Sequence, residues 1–338
     1  MRLICFSGAD MYLEGEPLFN DIVGKMQSGD FTLSPTSVMS YVANEFFGQF
    51  HELSYYIILF FCLGAVGALI NLMSESFKSK SGEISFFACF ALSAATAVKC
   101  FGVCLEYALD VIGKMTDFIT KLMPAITTLV ITSGKPVSAG AFHPVLMTAV
   151  YAVSIVCSKC IVPLASYSAI LSVANNVSSE VQITGVCRLI SSCAKWILAL
   201  SFTLFTGICG IYGFSAPALD AVSAKTVKFA VGSLVPVVGN FLSDTLETVV
   251  TGSQMMKNTV GGAGLAAMCV ICAVPIMKIG AMALAVRVSS AIVEPISDRR
   301  ISALLCDISG AVVILFGMVA AVAVLFIICI SILLAATS

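Results

Sequence analysis

Charged residues and histidines are scarce in this sequence. Charged residues make up 11% of the 338 residues and apolar residues make up 59%, whereas soluble domains are about 25% charged. A soluble fold could not bury that much apolar surface, so this class is excluded. The two histidines, His51 and His143, form no HExxH zinc motif. The sequence also has no phosphate-binding GxxxxGK[ST] loop. We therefore expect a chain that is not an enzyme and that uses no metal or other cofactor.

The sequence contains long runs of residues without any charge. Residues 53–73 carry no charge, and neither do residues 308–338. About 20 apolar residues in a helix cross the hydrocarbon core of a bilayer. The sequence therefore predicts an all-α, polytopic helical membrane protein with about six to eight membrane segments.

The few charges are unevenly placed. Residues 1–52 form an acidic N-terminal segment, whereas the short loops at 75–83 and 293–302 each hold two lysines or arginines beside two acidic residues. Because lysine and arginine in short loops favour the cytoplasmic side and acidic residues contribute little, we expect these two loops inside the cell and residues 1–52 and Ser338 outside. Residues 1–10 lack the apolar core of a signal peptide. Either the acidic segment crosses without such a core, or the natural chain begins further upstream.

Fourteen cysteines are scattered along the apolar runs. Cys157 and Cys160 have CxxC spacing, as do Cys269 and Cys272, and this spacing can indicate a zinc or redox site. No histidine or second pair lies nearby in sequence to complete four ligands. We interpret these cysteines as small, polarisable packing residues.

The two CxxC segments belong to a longer similarity. CSKCIVPL (157–164) matches CVICAVPI (269–276) at an offset of 112 residues, which also relates Pro124 to Pro236. We therefore predict an internal duplication. The predicted units are a first transmembrane hairpin at 53–113 and two membrane repeats at 114–214 and 226–338. Transporters are often built from such repeats, with proline- or glycine-broken helices at matching positions.

KFAVGSLVPVVGNFLSDTLETVV (228–250) is the clearest candidate for a broken helix. Pro236 lacks an N–H donor and disfavours helix in the residue before it, and Gly239 follows closely. Asp244 and Glu247 then have the spacing of a helix N-terminal capping box. We expect a half-helix, an irregular turn and a new helix inside the bundle; the alternative is a kinked helix at the membrane surface. Pro124, Pro163 and Pro275 mark the corresponding interruptions.

Several charges lie inside apolar runs, where charge is costly and usually functional. Lys99, Lys159 and Lys278 are the cations concerned, although a long lysine side chain can also extend to the interface. Asp244 and Glu247 are the most suitable partners. Lys135 corresponds to Glu247 in the proposed repeat, so these two residues could pair across the repeat interface. We take Asp244, Glu247, Lys135, Lys159 and Lys278 as a candidate intramembrane polar site.

Small residues also recur at four-residue spacing, as in Gly64/Ala68 and Gly317/Ala321. Such pairs let helices approach closely in membranes. We expect them to mediate packing within the chain rather than between two copies.

Three segments carry a resemblance to a known family. AFHPVL (141–146), KTVKFAVGSLVPVVGNFLSDTLETVV (225–250) and the run ending in SDRRI (297–301) resemble the stage III sporulation protein AE family of endospore-forming bacteria. The resemblance covers most of the chain after about residue 85. It implies a multipass protein that is made in the mother cell and inserted in the membrane surrounding the forespore.

The resemblance further implies a channel-like or secretion-like assembly that supports late forespore development. Its other members are the remaining stage III sporulation A proteins and stage III sporulation protein Q, and a partner ATPase would supply any energy. No catalytic residue is carried over, and no nucleic-acid partner is expected. The alternative, based on the repeat and the broken helices alone, is a self-sufficient secondary transporter of a small solute.

The role of Asp244 and Glu247 can be tested by charge removal. If they only cap a helix, Asp244→Asn and Glu247→Gln should be mild, because asparagine caps as well as aspartate. If either pairs with a buried lysine, its loss leaves an unpaired charge at a cost of about 3–5 kcal/mol. We expect sporulation to fall sharply in at least one variant and to recover partly when Lys135, Lys159 or Lys278 is also neutralised. Wild-type sporulation in both single variants, at normal protein levels, would leave only the capping role.

Overall fold

A computed structural model describes residues 54–70, 80–132, 136–177, 183–234, 268, 272–273 and 275–335. Every element in this part of the chain is helical, which confirms the all-α class. The helices are α1 (Ser54–Ile70), α2 (Lys80–Thr132), α3 (Pro136–Val156), a π turn (Cys157–Ile161), α4 (Val162–Val177), α5 (Thr184–Leu234), α6 (Pro275–Val293) and α7 (Arg299–Ala335). Five helical stretches of the described residues are long and apolar enough to cross a membrane, and α1 is a shorter apolar helix.

The C-terminal helix α7 lies at the centre of the bundle. It packs against α2, α4 and α5, and α6 also contacts it, through Gly280 against Phe316. Its buried residues occupy most of its circumference: Leu304, Leu305, Ile308, Val312, Leu315, Met318, Val319, Val322, Phe326 and Cys329. A helix that is apolar all round is stable only when it is surrounded by other helices or lipid. The other helices therefore assemble around α7.

The predicted break at Pro124 does not occur. Pro124 lies inside α2, which continues to Thr132. Leu122 and Met123 before the proline and Val130 after it are all buried in the core, so packing holds both sides of the helix in line. Proline is tolerated in membrane helices where neighbouring groups compensate for its missing hydrogen bond.

At Pro163 the helix is widened rather than broken. Residues Cys157–Ile161 form a π turn, and the Val162 N–H donates to the carbonyl of Cys157. A proline ring collides with the carbonyl four residues earlier in a regular α-helix, and the wider π turn moves that carbonyl away. Pro275 has described helical residues on both sides, 272–273 before it and 276–293 after it. Pro236 and Gly239 lie outside the described residues.

Two predicted unit boundaries fall inside single helices. The boundary between residues 113 and 114 lies within α2, and residues 214–226 lie within α5. In both proposed repeats, a helix that contains a proline (α4 or α6) is followed by a short connection and a long helix (α5 or α7). The duplication itself remains a prediction.

Helix α1 packs closely against the turn between α6 and α7. A Cβ atom added at Gly64 would lie 2.7 Å from Cγ1 of Val293, and one added at Gly67 would lie 3.0 Å from Cδ1 of Ile301. The Cys89 thiol of α2 donates to the carbonyl of Leu63 at 3.3 Å. The small residues that were predicted to mediate close packing thus do so here within the chain.

These contacts also place the start of α2 near the turn between α6 and α7. The turn after Val293 lies beside the C-terminal part of α1 and the N-terminal part of α2. Residues 80–83, which begin α2, therefore lie at the same end of the bundle as residues 293–302. The cytoplasmic position of the two loops remains a prediction, and residues 75–79 lie outside the described residues.

The contact of α1 with Val293 predicts a size limit at Gly64. Gly64→Ala should lower the thermal stability of the purified protein, because overpacking costs about 1–3 kcal/mol. Gly207→Ala is the matched control, since a Cβ there would meet nothing within 4 Å. The double variant Gly64→Ala/Val293→Ala should recover part of the loss. Equal melting temperatures for Gly64→Ala and Gly207→Ala would contradict the close contact.

Candidate functional site

The depth of each helix in the membrane follows from contacts between helices. Cys89 and Ile301 both lie against Gly67, which puts these residues of α2 and α7 at one level. Further along, Lys278 of α6 lies over Tyr107 of α2, and a Cβ at nearby Gly280 would lie 3.1 Å from Phe316 of α7.

The two contacts fix how α2 lies beside α7. Between these two contact levels, α2 advances from Cys89 to Tyr107 and α7 advances from Ile301 to Phe316. At a rise of 1.5 Å per residue, the distances along the two helices are about 27 Å and about 22 Å. Helices α2 and α7 therefore run in the same direction, in nearly constant register.

The apolar run of α7 between Ala311 and Leu333 defines the hydrocarbon level. It contains no charge, and no side chain in it is more polar than serine. Helix α5 places the hydrocarbon core at the same level. Leu198 lies within the apolar stretch of α5, and a Cβ atom added at Gly317 of α7 would lie 3.9 Å from its Cδ2 atom. Two helices therefore place the hydrocarbon core of the membrane at the same level of the bundle.

One cation is held inside the bundle at this level. The Lys278 side chain is 6% exposed, and its Nζ lies 5.8 Å from the centre of the Tyr107 ring. A lysine ammonium over an aromatic face gains about 0.5–2 kcal/mol. Charges within membrane segments usually face the bundle interior and mark functional sites, which makes Lys278 the central residue of the candidate site.

A second polar cluster lies nearer the end of the bundle that carries the turn between α6 and α7. Asn176 of α4 donates to Asp307 of α7 at 3.0 Å. The hydroxyls of Ser168 and Ser191 join α4 to α5 at 2.8 Å. Ser290 of α6 donates to the carbonyl of Ser302 in α7 at 3.0 Å. These bonds link helix pairs through short polar side chains, as is common in membrane bundles, and we assign them a structural role.

A third polar feature lies on the outside of α2. Six charged residues fall within an arc of about 80° when the helix is viewed along its axis: Lys99, Glu106, Asp110, Lys114, Asp117 and Lys121. We call them the charged stripe. All are exposed or partly exposed, and Lys114 bonds Asp110 at 2.9 Å. The opposite face of α2 is buried, with Ala97, Cys104, Ala108, Met115 and Leu122 in the core.

The charged stripe lies at hydrocarbon depth. Lys99 is ten residues beyond Cys89, and Ala311 is ten beyond Ile301. Lys121 and Leu333 are both 32 residues beyond the same reference points. The stripe thus runs beside the whole apolar run of α7, over about 33 Å, which is close to the thickness of the hydrocarbon core.

Two of the five residues of the predicted polar site, Lys159 and Lys278, lie among the described residues. Lys278 is buried as expected, but its described contact is with Tyr107, which the sequence did not suggest. Lys159 is exposed on the π turn. Lys135, Asp244 and Glu247 lie outside the described residues. The charged stripe was missed, although Lys99 was noted; its spacing of three, four and seven residues would have revealed it.

The two thiols of the first CxxC pair lie in different surroundings. Cys157 is buried and Cys160 is exposed. Cys272 is buried, and its pair Cys269 lies outside the described residues. The spacing of Cys157 and Cys160 spans the π turn and does not bring both side chains into the core.

The role of Lys278 can be separated from packing. Lys278→Met keeps the approximate length of the side chain and removes its charge, and an apolar side chain at this buried position carries no cost of desolvating an ammonium group. We expect normal protein levels in the membrane with a strong fall in sporulation. If Lys278→Met sporulates like the wild type, the buried charge has no functional role.

Comparisons with known proteins support the family resemblance seen in the sequence. The sequence pattern of the family described as "Stage III sporulation protein AE" matches residues 18–337. The chain is 29% identical over 315 residues to the stage III sporulation protein AE of Bacillus subtilis (strain 168), covering 91% of this chain and 78% of that protein. No solved structure matches the chain. With the family pattern extending over nearly the whole chain of apolar helices, the protein belongs to the stage III sporulation protein AE family, a family of sporulation proteins.

Proposed function

We propose that the chain is an integral membrane subunit of a channel-like or secretion-like assembly that links mother cell and forespore. Its role there is structural or pore-contributing rather than catalytic. It resides in the mother-cell membrane around the forespore. Its partners are the other stage III sporulation A proteins and stage III sporulation protein Q, and a partner ATPase supplies any energy needed.

The charged stripe of α2 carries this proposal. Exposed apolar side chains at the same depth include Trp196, Leu200 and Leu204 of α5. That face suits lipid. A face with six charges does not, because each charged group in hydrocarbon costs several kcal/mol. The stripe must therefore meet protein or water, which supports a chain that works within a larger assembly.

The family supplies the biological setting. The name of the family ties the chain to the third stage of sporulation. A membrane subunit with one polar face fits an assembly that joins two cells during that stage.

The proposal predicts that the stripe is needed for assembly. In sporulating cells, Glu106→Leu/Asp117→Leu should lower recovery of the other stage III sporulation A proteins with the tagged chain, and sporulation should fall with it. The matched control replaces two lipid-facing residues, Leu200→Val/Leu204→Val, and should keep both. Normal recovery of those proteins with the stripe variant, at equal protein levels, would remove the case for a subunit role.

A further inference from the structure

We propose that Arg287 of α6 binds the phosphate of an anionic phospholipid, and that one acyl chain of this lipid lies in a groove along α7. The groove is the open strip of α7 between α5 and α6, formed by Cys306, Gly310, Val313, Gly317 and Val324. The ligand comes from the membrane itself, so the site does not depend on the partner proteins proposed above.

The groove is the one part of the described surface of α7 that the other helices leave uncovered at hydrocarbon depth. At 100° per residue, its five residues fall within an arc of about 60° around the helix axis. Val313 is 47% exposed and Val324 is 45% exposed, and the other three are partly exposed. The strip runs from just before the apolar run of α7 to its middle, so acyl chains are the medium that it meets.

Helices α5 and α6 form the walls of the groove. On one side of the strip, Ser302 of α7 accepts a hydrogen bond from Ser290 of α6 at 3.0 Å. On the other side, a Cβ atom added at Gly317 would lie 3.9 Å from Cδ2 of Leu198 in α5. A Cβ atom at Gly310 would meet nothing within 4 Å, so the floor is open there. The two glycines leave room between the walls for an acyl chain.

Arg287 lies at the end of the groove, at the depth of lipid headgroups. It is exposed on α6, and its guanidinium donates to the Cys306 thiol at 3.2 Å. The apolar run of α7 begins at Ala311, five residues after Cys306, which is about 7.5 Å along the helix. Each headgroup layer of a bilayer extends about 5–8 Å beyond the hydrocarbon core. The guanidinium is therefore placed beside the phosphate groups of the surrounding lipid.

The charge of Arg287 suits an anionic headgroup. Within the described part of the chain, no carboxylate forms an ion pair with Arg287. Asp307, the residue after Cys306, is bound instead to Asn176 of α4 at 3.0 Å. Arginine has five N–H donors and a thiol is a weak acceptor, so donors remain for phosphate, which arginine binds through paired hydrogen bonds. A zwitterionic headgroup brings its own cation, whereas an anionic headgroup leaves its phosphate charge for Arg287.

Quenching of tryptophan fluorescence by brominated lipids tests the site in the full-length chain, purified and reconstituted in vesicles. The single tryptophan, Trp196, is exposed on the lipid-facing side of α5 and reports on ordinary surrounding lipid. Leu284 is 61% exposed and lies one turn deeper than Arg287 on α6, so Leu284→Trp in a Trp196→Phe background reports on the groove. Dibrominated phosphatidylglycerol and dibrominated phosphatidylcholine carry bromine at one depth, so their quenching ratio measures headgroup preference. We expect a preference of about fivefold for phosphatidylglycerol at Leu284→Trp, which is the effect of one arginine near anionic lipid, and none at Trp196.

Three variants of the Leu284→Trp reporter locate the lipid. Arg287→Gln should abolish the preference for phosphatidylglycerol. Gly310→Leu fills the floor of the groove in a direction where a Cβ meets nothing, and it should lower the preference as well. Arg299→Gln is the matched control, because Arg299 is exposed seven residues before Cys306 and thus about 10 Å further from the hydrocarbon core. It should keep the preference.

Each part of the site has an outcome that would overturn it. Equal quenching by the two lipids at Leu284→Trp would exclude an anionic headgroup, and quenching by neither would mean that protein covers the groove. Equal losses in Arg287→Gln and Arg299→Gln would replace the site with a general surface charge. A full preference in Gly310→Leu would remove the acyl chain from the groove.

Discussion

The fixed thickness of the bilayer determines the arrangement of this molecule. Helix α7 offers an apolar run long enough to cross the hydrocarbon core, and the remaining helices pack around it in register. Contacts at Gly67, Tyr107 and Gly280 fix that register for α2 and α6. Once α7 is placed in the membrane, the depth of every other described side chain follows. The depth and exposure of each polar group then indicate whether lipid, protein or water surrounds it.

The two kinds of intramembrane charge meet this constraint differently. Lys278 is withdrawn from lipid into the bundle, where an aromatic face stabilises its ammonium. The charged stripe of α2 stays outside and combines opposite charges along one helix, as in the bond from Lys114 to Asp110. The first solution uses the interior of one chain. The second works only if something other than lipid lies beyond α2.

The class of the protein could be predicted from the sequence because apolar content and run length determine it directly. The effect of the prolines on the helices could not be predicted from the sequence. Proline removes one hydrogen bond, but packing on both sides decides whether the helix breaks, and buried Leu122, Met123 and Val130 keep α2 continuous through Pro124. At Pro163 a single π turn accommodates the proline ring, and the helix continues. The pairing of Lys278 with Tyr107 also depended on tertiary packing, since 171 residues separate them. The charged stripe, in contrast, could have been predicted, because its charges recur at helical spacing in the sequence. The apolar residues between them make the segment look like an ordinary membrane span when it is read linearly.

The location of polar groups also separates the two classes of function considered. A self-sufficient transporter needs a solute path within its own bundle, at the level where α2, α6 and α7 meet. Among the described residues that region is filled by Cys104, Met115, Ile279, Met318 and Phe326, with Lys278 as its buried charge. The extended row of charges lies instead on the outer side of α2. The described part of the chain therefore contributes one wall to any path along that row, and under the proposed function the remaining walls come from other subunits. This asymmetry, lipid-facing on α5 and polar on α2, favours a component of an assembly over a complete transporter.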